Sequence, residues 1–181
     1  MKIIRLGGSL FSEYDILRKL SAFFQRWDGE GLLLVPGGGP YARLIKQHQE
    51  EKGFTESQAH WMAIKSTEIM GVLLCDLIPK AIQIAVPKLI PGGEIAVIFA
   101  YAYFKTRDLL PHSWDATSDA IATYIGLDLG VKQFYKITSG PEDPKLALDA
   151  ITRESANDFG IKWTIISTQN AAFIKHLENA L

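Results

Sequence analysis

The chain has little that would tie it to an oxidising compartment, a membrane or a polyanion. Its 181 residues include one cysteine, Cys75, which excludes an internal disulfide. Cys75 lies in the apolar run 71–78, the setting of a buried, inert thiol. No apolar run approaches the roughly 20 residues a membrane span needs, and the opening Met-Lys-Ile-Ile-Arg-Leu-Gly-Gly lacks the apolar core and cleavage site of a signal peptide. Nineteen basic and 20 acidic residues leave a net charge of −1, with no long run of either sign to form a nucleic-acid stripe or a polybasic patch. The expectation is a cytoplasmic protein with no membrane or nucleic-acid partner. His and Cys at zinc spacing, a Gly-x-Ser-x-Gly elbow, a P-loop Gly-Lys-Ser/Thr and a Gly-x-Gly-x-x-Gly after the first strand are also missing. These absences argue against zinc, serine-hydrolase, P-loop and dinucleotide chemistry.

What is present is an alternation of short apolar runs and amphipathic stretches. Strands are expected over 2–6, 31–35, 94–100, 133–138 and 162–167. Helices are expected over 14–27, from Tyr41 to about Glu51, from Thr55 to about Pro79, from Ala120 to about Asp128 and over 171–181, with 145–158 partly helical and 101–112 a polar connection. Thr55 and Gln58 form a capping-box pair. Such alternation predicts an α/β fold with a mainly parallel sheet covered on both faces, and the length suits one domain over 1–181.

Three segments carry chemistry. The first strand ends in Gly7-Gly8-Ser9 and the second in Gly37-Gly38-Gly39, and glycines at strand ends free backbone N–H groups to face an anion. The third segment, His112 to Ala122, puts Asp115, Thr117, Ser118 and Asp119 where a loop becomes a helix, with Ser118 or Asp119 as N-cap. Ligands of parallel sheets bind beyond the carboxyl ends of the strands, so the glycine loops should meet on one edge. Phosphoryl transfer needs donors, cations and fixed geometry. The loops supply donors, Arg5 a permanent cation, and Asp115 a carboxylate to orient the cations or a magnesium ion.

Taken in order, Arg5-Leu6-Gly7-Gly8-Ser9, Val35-Pro36-Gly37-Gly38-Gly39-Pro40 and Trp114-Asp115-Ala116-Thr117-Ser118-Asp119 resemble the amino acid kinase superfamily. Through Val-Pro-Gly-Gly-Gly, His60-Trp61-Met62-Ala63-Ile64 and Trp-Asp-x-Thr-Ser-Asp, the chain most resembles its small (aminomethyl)furanmethyl phosphate kinase branch of methanogens and methylotrophs. The resemblance implies a three-layer αβα sandwich that uses ATP and Mg2+ to phosphorylate a small phosphate monoester or carboxylate, as in methanofuran-type cofactor synthesis. By the same resemblance Arg5 and Asp115 are catalytic, and Gly7, Gly8, Ser9, Lys136, Thr138 and Lys145 hold ATP. Gly37, Gly38, Gly39, His60, Trp61, Thr117, Ser118 and Asp119 hold the acceptor. No residue is assigned as a direct metal ligand.

The chain departs from the family pattern at Arg5, where the family has lysine, and at Thr138-Ser139-Gly140-Pro141-Glu142, where it has Thr-Asp-x-Asp-Gly. It also ends at Leu181, ahead of a final Gly-Thr-containing strand, so a sheet shortened at the C-terminus is expected. These departures carry a second expectation, a weak or inactive relative serving as a ligand-binding or partner subunit. Homo-oligomerisation through the apolar helix 57–77, or a hetero-partner completing the sheet edge, is expected with either reading.

Overall fold

A computed structural model describes residues 1–181. Its centre is a six-stranded, wholly parallel sheet in the order β3-β4-β2-β1-β5-β6. The strands are β1 (Lys2–Leu6), β2 (Leu32–Pro36), β3 (Ile82–Ile84), β4 (Ile95–Ile98), β5 (Gln133–Thr138) and β6 (Lys162–Ser167). The helices are α1 (Tyr14–Gln25), α2 (Gly39–Lys52), α3 (Glu56–Leu77), α4 (Tyr101–Arg107), α5 (Ser118–Asp128), α6 (Pro144–Ala147), α7 (Ala150–Phe159) and α8 (Phe173–Ala180).

Strand alternation assigns the two cores. Ile4 and Leu6 of β1 join Leu32 and Leu34 under α1, α8 and the end of α3. Ile3, Leu33 and Val35 face the opposite way, against α4 and α5. Arg5 has the parity of Ile3, so β1 delivers a guanidinium to the α5 face. The chain builds outward from β1 through β2 and β4, then crosses back to pair β5 on the other side of β1. That reversal puts the carboxyl ends of β1, β2 and β5 around one crevice, the place where open parallel sheets bind ligands.

Three expectations change. A sixth strand exists, because β3 owes its extended form to pairing with β4 (Gln83 opposite Val97) rather than to any run of its own. The segment 101–112 is not all connection: α4 starts where Glu68 of α3 accepts a hydrogen bond from the Tyr101 N–H at 2.9 Å, a cap supplied from 33 residues away. The N-cap of α5 is Thr117, whose Oγ1 accepts from the Asp119 N–H at 3.2 Å. This places Ser118 and Asp119 inside the first turn. The capping box of α3 forms as the sequence predicts.

Candidate active site

The two glycine loops do meet. Gly7 donates to Ile137 O at 2.7 Å and Gly37 to Leu6 O at 2.8 Å, extending the ladder past both strand ends. Gly8 and Gly39 open a 3₁₀ turn (Gly8–Ser12) and α2, so their N–H groups have no partner within the helix they start. Local packing and backbone conformation also explain two of the glycines. A Cβ on Gly37 would lie 2.6 Å from Gly8 N, and Gly39 has φ +59° with Met70 Sδ 2.7 Å from its absent Cβ. The contact with the other loop at Gly37, and the left-handed backbone and Met70 at Gly39, require glycine whether or not a phosphate binds.

Beside the loops lies a buried ionic bridge. Asp119 Oδ1 is 2.7 Å from Arg5 Nε and Oδ2 is 2.6 Å from Lys136 Nζ. Relative exposures of 9% for Arg5, 2% for Asp119 and 5% for Lys136 put all three in the low-dielectric interior. Hydrogen bonding is unequal across the bridge. Lys136 donates to Oδ2, but the guanidinium donates to Ser118 Oγ, at 3.1 Å from Nε and 2.7 Å from Nη2, leaving Asp119 Oδ1 paired by charge alone. Burial and the neighbouring Arg5 push the Lys136 ammonium down to about 8, against the opposing pull of Asp119 and Asp149. The bridge itself holds two cations on one carboxylate, and Asp149 is the second carboxylate that bears on Lys136.

A cavity of about 250 Å³ opens on the α2–α3 side of the bridge, lined among others by Arg5, Gly8, Gly39, Arg43, His60 and Ser118. Its outer wall is the segment after α4, pinned by Trp114 Nε1 donating to Gln49 Oε1 at 2.5 Å and by His112 bonded to Asp108 at 2.8 Å. His60 is buried and stacked on His112 at 4.3 Å, with Trp61 edge-on at 4.8 Å. Neither His60 ring nitrogen has a hydrogen-bond partner, and Nε2 is fully enclosed. Burial, with His112 adding to it, lowers the His60 pKa to about 4, so this imidazole is neutral at pH 7.

The expected site residues divide accordingly. Arg5, Gly8, Ser9, Gly38, Gly39, His60, Thr117 and Ser118 line the cavity, as does Thr67, which the sequence did not single out. Asp115 does not: it is exposed, ahead of the α5 cap, and the carboxylate that meets Arg5 is Asp119. Lys136 is held by Asp119 and by the carbonyl of Ala147, which makes it part of the bridge. Lys145 is exposed on α6. Trp61 is half-buried behind His60, outside the lining. Thr138 ends β5, its Oγ1 accepting from Gly140 N at 3.0 Å, and Ser139 Oγ donates to Ser9 Oγ at 2.6 Å. The 139–142 loop is tied to β6 by Ser167, whose Oγ donates to Gly140 O and whose N–H donates to Glu142. No group of three or more His, Cys, Asp or Glu side chains is arranged to hold a metal ion, and no helix is long and apolar enough to cross a membrane.

Solved structures share this fold almost end to end. Uridylate kinase from Archaeoglobus fulgidus matches with a TM-score of 0.68 at 16% identity, over 98% of this chain and 96% of its own. Isopentenyl phosphate kinase matches with a TM-score of 0.63 at 14% identity, over 100% and 98%. The chain has the amino acid kinase fold. No family model matches the sequence. A curated relative, the (5-(aminomethyl)furan-3-yl)methyl phosphate kinase of Methanocaldococcus jannaschii, is 26% identical over 136 residues, covering 74% of this chain and 63% of the relative's length. The relative and these structural neighbours of the amino acid kinase fold are all kinases.

Proposed function

We propose that this chain is an ATP-dependent kinase that phosphorylates a small phosphate monoester in the cavity between α2, α3 and α5. The observation that carries the reading is the buried Arg5–Asp119–Lys136 bridge set where two glycine loops converge. Arg5 and Arg43 line the cavity beside that bridge, so an anion entering it meets two guanidinium groups. The groups transferred and received in such a reaction are anionic, so the site is electrostatically complementary to them.

In this reading ATP would supply the phosphoryl group from the side of the site formed by β1 and β5, and Mg2+ would accompany it. The residues present fit that use, since the N–H groups of Gly8 and Gly39 start helices and lack partners within them. Arg5 holds the transferred group through the guanidinium edge that faces Gly7. Asp119 keeps Arg5 and Lys136 from repelling each other and fixes both. Arg43 at the cavity wall meets the acceptor's phosphate, and neutral His60 with Ile64, Leu110 and Ile121 surrounds its organic part. A furanmethyl phosphate of the kind named for the M. jannaschii relative suits a cavity of this size and apolar wall.

The test is ADP release from Mg·ATP across a panel of phosphate monoesters. A compact aromatic or heteroaromatic methyl phosphate should give turnover, and UMP should give little. Release that no phosphate monoester stimulates would reject the reading.

A further inference from the structure

Asp149 lies outside both glycine loops and outside the cavity lining, yet its carboxylate is fully engaged. Oδ1 accepts from Thr152 N at 2.7 Å and caps α7. A helix cap needs no more than that. Oδ2, however, accepts from both the N–H and the Oγ1 of Thr117, at 3.0 and 2.6 Å, across 32 residues of chain. Thr117 is the N-cap of α5 and receives the Asp119 N–H. Asp119 in turn bonds Lys136, and Lys136 Nζ also donates to Ala147 O, two residues before Asp149. These contacts close a ring from Asp149 through Thr117, Asp119, Lys136 and Ala147 back to Asp149.

We propose that Asp149 is a positioning residue for the Arg5–Asp119–Lys136 bridge, fixing the start of α5, and with it the Asp119 carboxylate, to the segment that follows β5. One carboxylate thus couples the two sides of the site: the 139–149 segment on the nucleotide side and the 112–118 wall on the acceptor side. Its catalytic meaning rests on the kinase reading, but the linkage itself does not. Asp149 touches neither loop; it acts through Thr117 and Asp119, and through its own charge near Lys136.

The experiment reads the bridge without needing turnover. The charged groups that bear on the Lys136 ammonium are Arg5 on β1, Asp119 on α5 and Asp149 ahead of α7. The Lys136 ammonium is followed by NMR of lysine-labelled protein, assigned through Lys136→Arg, in the wild type, Asp149→Asn and Asp149→Ser. Glu154→Gln, an equal charge change on the exposed side of α7, is the control. Both Asn and Ser retain an N-cap oxygen for α7, so the serine variant keeps the test open if the asparagine variant does not fold. The Lys136 midpoint should fall by roughly half a unit or more in both Asp149 variants and stay in place in Glu154→Gln. With an acceptor in hand, kcat should drop about tenfold or more while the acceptor KM moves little. An unmoved Lys136 midpoint in a folded Asp149 variant would overturn the proposal and leave Asp149 a simple cap. Absence of turnover in the wild type would reject the kinase reading while the titration still decides the linkage.

Discussion

Asp119 is the side chain on which the site's electrostatics turn. Removing its charge leaves two buried cations facing each other, so Asp119→Asn should lose about 3–5 kcal/mol of stability and turnover should fall below detection. Asp115→Asn, at an exposed loop position, should change neither; matched urea titrations and ADP-release assays check both. His60 gives a pH signature. Its ring titrates at about 4 when folded against an ordinary 6.5, so between those values the unfolded chain binds the extra proton and stability falls as pH falls. The loss should be about 2 kcal/mol between pH 7 and pH 5, and His60→Gln should remove that contribution. Within the stretch 112–122 the sequence reading gives the catalytic role to Asp115, whereas the carboxylate that meets Arg5 is Asp119. Asp115 and Asp119 look alike in composition, and which one is buried depends on the helix starting at Thr117. A cap read there would have put Asp119 in the wholly buried first turn of α5.

At the scale of elements, the parts legible in the sequence are those whose cause is local. The strands of the central sheet that bear the glycine loops and the capping box of α3 are fixed by runs and caps of a few residues. β3 and the start of α4 are not, because a pairing with β4 and a carboxylate from α3 make them. The argument from triple glycine to phosphate is also weaker than it looks in sequence, since the loops need glycine to pack on each other. Gly37→Ala should therefore destabilise the fold by about 1–3 kcal/mol through a forced backbone shift, measured by urea denaturation with or without nucleotide present. Exposed Met62, Ile69 and Val72 on α3 are apolar positions that contribute to neither core.

Across the whole molecule, the reversal of strand order between β1 and β5 brings together a cation from β1, another from β5 and a carboxylate from α5. No single motif reveals that convergence, because it joins residues 5, 119 and 136 through the sheet order. The candidate site therefore has two sides, the cavity on the β1–β2 side and the strand ends of β5 and β6 on the other. The measurement that bears most directly on the central claim is 31P NMR of Mg·ATP mixed with (5-(aminomethyl)furan-3-yl)methyl phosphate and the wild-type, Asp115→Asn or Asp119→Asn protein. ADP and an acceptor diphosphate should appear with the wild type and Asp115→Asn and be absent with Asp119→Asn. Equal diphosphate formation by a folded Asp119→Asn protein would contradict the account, because phosphoryl transfer would then not depend on the buried bridge.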